Sequence, residues 1–255
     1  QEITQQKEQI EEQKNQLDAA NKLKDRFFSI IAHDLINPVN AVNQLSEQLA
    51  INYNDFSQDE RLNFISHINK SGRNVLSLLE ELLIWARAQT NRINYQYNYF
   101  DLRNIVQQTI DAVEVVAGNK NILIKNGINK EIMVYCDEFT VSTIIRNLLI
   151  NAIKFSYPNS YIEIGHKPAG DWIHLFVRDF GIGMNEETKN KLFTIGEKSS
   201  NRGTDGEQGT GLGLYICYEF VKGNGGKIWF ESEKEKGSVF WFSLPTNKEA
   251  FSSAT

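Results

Sequence analysis

Cysteine and proline are scarce in this chain, and long apolar runs are missing. The two cysteines, Cys136 and Cys217, each lie in an apolar stretch and share no CxxC spacing. That excludes a disulfide framework and reads as buried, reduced thiols in a cytoplasmic protein. No apolar run approaches the ~20 residues of a membrane-spanning helix, and no secretory leader is visible. An excess of positive charge is also lacking: the net charge of −5 gives no electrostatic reason to expect nucleic acid as a partner. In the first 90 residues the only proline is Pro38 and the only glycine Gly72, too few for the turns of a sheet. Beginning on Gln1 rather than methionine, the sequence reads as a fragment. A sensor domain or membrane segment is expected upstream.

Composition divides the 255 residues near residue 90 into an all-helical part and an α/β part. Residues 1–24 are polar. Ile3, Ile10 and Leu17 recur every seven residues, but the companion line Gln6, Gln13 and Ala20 is poor in large apolar groups. A weak coiled-coil seam and a solvated single helix both fit this incoming segment. Residues 25–90 read as a helical hairpin. Phe28, Ile31, Leu35, Pro38, Val42, Leu45 and Leu49 step by three and four, the spacing of one buried helix face. Ser57 and Glu60 then match a capping box. Leu62, Ile65, Ile68, Gly72, Val75, Leu79, Leu82 and Ala86 mark a second stripe. Two helices bury little by themselves, so pairing with a second copy into a four-helix bundle is expected.

A tyrosine-rich linker (91–99) leads to an α+β sandwich over 100–246. Helices are expected to about residue 117, at 138–155 and near 211–222. Strands are expected at 121–125, 132–136, 161–167, 171–178, 227–232 and 238–244, the fourth from the alternation of Ile173, Leu175 and Val177 with Trp172, His174 and Phe176. Residues 247–255 read as a tail.

Several polar residues fit a common chemistry. His33 is offset by two positions from Ile31 and Leu35, which turns its imidazole away from the apolar stripe. A neutral imidazole is a competent nucleophile near neutral pH. Asp34 is placed to accept a hydrogen bond from one ring nitrogen, leaving the other to attack, and Asn37 lies one turn on, able to orient a water or a phosphoryl oxygen. Asn147 and Asn151 stand four apart on one helix face, with Lys154 three further on; amide oxygens suit Mg²⁺, and ammonium groups suit phosphate. Asp179 follows a strand, and Gly181 and Gly183 let backbone approach a ring whose amino group the carboxylate can bind. Gly209-Thr210-Gly211-Leu212-Gly213 precedes a helix, where backbone amides can wrap phosphates. It is no Walker loop, having no GKS or GKT, and it lacks the later acidic residue of a dinucleotide fold. The polar stretch from Thr194 to Gln208 suits a lid.

The run Phe27-Phe28-Ser29-Ile30-Ile31-Ala32-His33-Asp34-Leu35-Ile36-Asn37-Pro38 closely resembles the histidine box of sensor histidine kinases. Asn147 to Phe155, Asp179 to Gly183 and Gly209 to Leu214 resemble, in order, the asparagine box and two glycine boxes of the gyrase–Hsp90–histidine kinase ATPase superfamily. The resemblance covers about residues 21–245. It implies a Bergerat-type ATP-binding domain behind a dimeric phosphoacceptor hairpin, using ATP and Mg²⁺. It further implies that His33 accepts phosphate, that Asp34 assists as base, and that Asp34 and Asn37 support phosphatase activity. By position, Asn151 would hold the metal, Asn147 and Lys154 would lie at the phosphates, Asp179 at adenine and Phe155 near the base. The expected partners are a second copy and a response-regulator receiver. Two departures stand out: Ile36 sits where a basic residue is frequent, and Leu192-Phe193 is followed by Thr-Ile-Gly-Glu-Lys rather than a second phenylalanine. They are the features a nucleotide-switched scaffold without kinase activity would have; an ATP-driven clamp would leave the histidine box unexplained.

Overall fold

A computed structural model describes residues 34–89, 93–192, 203–207 and 211–254, together with Glu11 and Lys14. The expectations for residues 1–33, His33 among them, for most of the 194–208 stretch and for Gly209 and Thr210 lie outside the described residues. The chain divides into two compact units, Gln1–Ile84 and Trp85–Thr255. No described helix is long and apolar enough to cross a membrane.

In the first unit, helix α1 (residues 34–51) turns at residues 52–56 into the 32-residue α2 (Gln58–Gln89). The capping box forms as its spacing predicts. Glu60 Oε2 accepts from the Ser57 amide and hydroxyl, both at 2.8 Å, while the Glu60 amide donates to Ser57 Oγ at 3.3 Å. These bonds hold the Glu60 carboxyl below its ordinary range. Leu35, Pro38, Val42, Leu45 and Leu49 of α1 are half-buried along one line. The stripe read on α2 divides instead. Ile68, Val75 and Leu82 are half-buried, but Leu62 (56%), Ile65 (45%) and Leu79 (40%) are exposed, as are Leu76 and Leu83. The apolar arc of α2 is wider than one partner helix can cover.

The second unit is an α+β sandwich. Its strands are β1 (Tyr97–Asp101), β2 (Leu123–Asn126), β3 (Met133–Asp137), β4 (Tyr161–Ala169), β5 (Trp172–Arg178), β6 (Ile228–Glu233) and β7 (Gly237–Pro245). Its helices are α3 (Leu102–Gly118), α4 (Glu138–Phe155), α5 (Glu186–Lys191), α6 (Gly213–Gly223) and α7 (Lys248–Ala254). Five strands form a mixed sheet in the order β2-β4-β5-β7-β6, parallel only between β2 and β4; β1 and β3 make a separate antiparallel ribbon. The alternation read in β5 is observed: Ile173, Leu175 and Val177 are buried, and the intervening residues are half-buried. The core joins these side chains and Phe242 to Ile105 and Val106 of α3 and to Ile144, Ile145, Leu148 and Leu149 of α4, most of them fully buried. Burial of this kind supplies roughly 25 cal/mol per Å² and dominates the domain's stability. On the other sheet face Trp229 stacks parallel to Trp241, and Phe176 and Lys167 also lie against Trp241.

Aspartates start the two long helices. Asp101 Oδ1 accepts from the Arg103 amide, and Asp137 Oδ1 from the Thr140 amide at 2.8 Å, satisfying donors that a helix start leaves open. Two segments differ from the sequence reading. Residues 97–99, read as linker, begin β1, because they pair in register with Tyr135–Asp137 and Asp137 Oδ2 accepts from the Gln96 amide. The segment read as a tail contains α7. Asn247 Oδ1 caps it through the Ala250 amide, Ala250 is buried, and the Phe251 ring lies 4.4 Å from Tyr97.

Asn224, fully buried at the end of α6, ties three elements together. Its Oδ1 accepts from the Asp137 amide, and its Nδ2 donates to Thr140 Oγ1 and the Phe220 carbonyl. Asn224→Ala removes all three side-chain bonds, leaves the Asp137 amide without its acceptor and is expected to destabilise the domain by about 2–4 kcal/mol. The midpoint of its urea transition, with unchanged slope, checks this.

Candidate active site

The site is built where α4, the loop after β5 and the start of α6 converge. Helix α4 carries Asn147, Asn151, Lys154 and Phe155, all half-buried. Asn147 and Asn151 are one turn apart, so both amides share a face. The Asn147 Nδ2 donates to the Gly213 carbonyl at 3.4 Å, linking this face to the first turn of α6. Helix α6 starts at Leu212 without a side-chain cap, and Gly211 before it has φ of 74°, in the left-handed region that favours glycine.

Asp179 emerges from β5 only 4% exposed. Its Oδ1 accepts from the amides of Gly181 (3.0 Å) and Ser238 (3.2 Å). Burial pushes this carboxyl up to about 6, and its bonds to the Gly181 amide and to the amide and hydroxyl of Ser238 only partly offset that. The glycine loop is wedged in place. Ile182 donates its amide to the Phe155 carbonyl at 3.1 Å, and a Cβ on Gly181 would strike that same carbonyl. A Cβ on Gly183 would strike the Glu233 carbonyl, and one on Gly237 the Asp179 carbonyl. Beside the loop, Ser156 is fully buried and its hydroxyl has no partner among the described residues.

Lys154 lies with its Nζ 4.7 Å from the centre of the Phe155 ring. Burial pulls its ammonium below the ordinary range, while Glu207 nearby opposes that shift. Asp34 (half-buried) and Asn37 (exposed) stand on α1 in the other unit. The structure therefore brings Asn147, Asn151, Lys154, Phe155, Asp179, Gly181, Gly183, Gly211, Leu212 and Gly213 into one unit. Sequence reasoning missed Ser238, whose amide shares the Asp179 carboxylate. The Lys236-Gly237-Ser238 turn, with Gly237 at φ 94°, is the signal that was available. It also missed Lys120 and Glu207, which are paired beside Lys154.

The residues suit an adenine nucleotide and Mg²⁺. A buried aspartate carboxylate can accept from an exocyclic amine, glycines leave space for a flat ring, and Asn151 offers a hard oxygen donor. Residues 136–248 match the family described as histidine kinase-, DNA gyrase B- and HSP90-like ATPase. The phytochrome-like protein Cph1 of Synechocystis is 28% identical over 245 residues, 95% of this chain and 32% of its own length. The adaptive-response sensory kinase SasA of Thermosynechococcus vestitus is 27% identical over 245 residues, 93% of this chain and 64% of its own. The catalytic domain of histidine kinase ThkA superposes with a TM-score of 0.52 at 28% identity, covering 61% of this chain and 99% of that one. Residues 136–248 thus form a domain of that ATPase family, and the chain is similar to sensory and histidine kinases. ThkA in complex with the response regulator protein TrrA shares the fold at TM-score 0.65 and 24% identity, with 92% of this chain and 64% of that one covered. The kinase-like chain thus spans about a third of Cph1 and less than two thirds of SasA.

The buried Asp179 gives the ATPase domain a pH signature. An acid raised from 3.8 to about 6 in the fold adds stability below pH 4 that is lost as pH rises through 6. The loss is at most about 3 kcal/mol. Asp179→Asn keeps an oxygen acceptor for Gly181 and Ser238 and removes the charge. Its melting temperature is expected to exceed the parent's at pH 8 and to converge with it only near pH 4, as read by thermal scans across that range.

Proposed function

We propose that this chain is the catalytic core of a dimeric, cytoplasmic sensor histidine kinase. It moves the γ-phosphoryl group of ATP to His33 and from there to an aspartate of a response-regulator receiver. The observation that carries this reading is Asp179, a buried carboxylate held in a glycine loop beside the amide face of α4. Asp179 accepts from the adenine amino group, with Gly181 and Gly183 leaving room for the base and Phe155 packing near it. Asn147, Lys154 and the backbone of Gly209, Thr210, Gly211, Leu212 and Gly213 hold the phosphates. Asn151 holds Mg²⁺, which when bound neutralises phosphate charge. Transfer through a loose transition state asks for positioning and charge compensation more than covalent help. At the acceptor, Asp34 takes a hydrogen bond from one nitrogen of the His33 ring, so that the other carries the attacking lone pair. Asn37, one turn along α1, orients a water for the reverse, dephosphorylating reaction.

The domain division proposed is an incoming helix (1–24), a phosphotransfer hairpin (25–90), a short linker, and the ATP-binding domain with its terminal helix. A sensor domain or membrane segment is proposed upstream. The exposed Leu62, Ile65, Leu76, Leu79 and Leu83 support pairing of two hairpins. A row of this kind, left in water, marks an association surface. The ThkA–TrrA complex supports a receiver as partner.

Incubation with γ-labelled ATP and Mg²⁺ is expected to give acid-labile label on the parent chain and none on His33→Gln. Asn151→Ala is expected to lower the labelling rate at least about a hundredfold, the scale of losing one charge-positioning group. Label that survives His33→Gln overturns the assignment. Leu79→Glu is expected to shift the sedimentation profile towards monomer, since it places a charge in the paired apolar face.

A further inference from the structure

Lys120 is a buried cation that the nucleotide chemistry does not itself use. It sits in the turn between α3 and β2 and is only 6% exposed. An ammonium taken out of water needs acceptors for its three N–H groups, and Lys120 has them. Its Nζ lies 3.2 Å from the Ile153 carbonyl and 3.1 Å from the Lys154 carbonyl. It also lies 2.8 Å from Thr204 Oγ1 and 2.6 Å from Glu207 Oε1. The two carbonyls belong to the last turn of α4, the negative end of that helix, where a cation is favoured.

Thr204 and Glu207 belong to a closed turn, 203–207. The Gly203 amide donates to the Glu207 carbonyl, the Asp205 amide to Glu207 Oε2, and the Thr204 amide to the Lys154 carbonyl. The Thr204 hydroxyl donates to the Ser156 carbonyl at 2.6 Å. A Cβ on Gly203 would run into both the Glu207 carboxylate and Lys154, so the turn is pressed onto the lysine of the candidate site.

The exposed Asp205 carboxylate also approaches Lys120, at 3.9 Å, but Glu207 is the one held close, and it stands between two ammonium groups. Lys120 holds Glu207 at ion-pair distance, whereas Lys154 makes no ion pair among the described residues. We propose that Lys120 is a positioning residue: it engages Glu207 and so keeps the Lys154 ammonium available to the triphosphate. This rests on the reading of the site as an ATP site. Without Lys120, the Glu207 carboxylate has Lys154 as its nearest cation and draws it away from the phosphates. Burial alone would raise the Glu207 carboxyl, but its bonds to Lys120 and to the Asp205 amide hold it below its ordinary range.

The test is calorimetric binding of Mg²⁺–ATP, with adenosine binding followed in parallel by ligand-observed NMR, on the whole chain. Adenosine has no phosphate for Lys154 to meet. Lys120→Gln, which can still donate to the α4 carbonyls, is expected to weaken ATP binding roughly ten- to hundredfold, the scale of one charge-assisted hydrogen bond. Adenosine binding is expected to stay within about twofold of the parent, because the Asp179 end is untouched. The double variant Lys120→Gln/Glu207→Gln is expected to recover most of the ATP affinity. Equal losses for ATP and adenosine, or no recovery in the double variant, overturn the proposal and leave the ATP reading standing. A parent chain that binds neither ligand overturns both. Should Lys120→Gln fail to fold, Glu207→Gln alone decides: ATP affinity at or above the parent's supports the proposal, and a tenfold loss overturns it.

Discussion

Much of the ATPase domain depends on main chain packed directly against main chain. The loop after β5 approaches the end of α4 so closely that the Ile182 amide bonds the Phe155 carbonyl and no Cβ fits at Gly181. The same loop meets the β6–β7 turn at Gly183 and Gly237, where again only a bare backbone fits. Contacts of this kind cannot be relaxed by a rotamer change, so they set the distance between the amide face of α4 and the Asp179 carboxylate to within a fraction of an ångström. The side chains of the site inherit their placement from those three glycines.

Burial then tunes the site in opposite directions. It raises the Asp179 carboxyl to about 6 and lowers the Lys154 ammonium, so burial biases both groups towards neutrality. A ligand that offers a donor to the first and negative charge to the second relieves both penalties on binding. Lys120 is treated differently. It is buried more deeply than Lys154, and carbonyl, hydroxyl and carboxylate partners surround it. Two lysines in one neighbourhood thus differ in whether the protein or a ligand supplies the counter-charge.

Much of this was legible in the sequence. The period-two alternation of Ile173, Leu175 and Val177 gave strand β5 its buried face, and the Ser57–Glu60 spacing gave the start of α2. Both are local signals, set by residues a few positions apart. Glycine spacing marked Gly181 and Gly183 for the same reason. What could not be read depends on partners distant in the chain. Residues 97–99 look like a polar tyrosine-rich connector until Tyr135–Asp137 lies beside them. Asn247–Ala254 looks like a tail until Ala250 and Phe251 find an apolar seat. Lys120 looks like any surface lysine until the end of α4 and Glu207, 87 residues on, close around it. On α2 the heptad-like stripe gave the apolar positions, but not how many of them α1 covers.

The docking of α7 has a mechanical consequence. Phe251, near the end of the last helix, lies 4.4 Å from Tyr97 at the start of the first strand, and the Tyr97 hydroxyl bonds the Gly223 carbonyl. The polypeptide therefore enters and leaves this domain at one corner, across the small β1–β3 ribbon. Tension or twist applied along the chain is carried through that corner as shear in a five-residue ladder and an aromatic cluster. That corner is tied to the end of α6 through Gly223 and to the start of α4 through Asp137, the two helices whose other ends reach the candidate site.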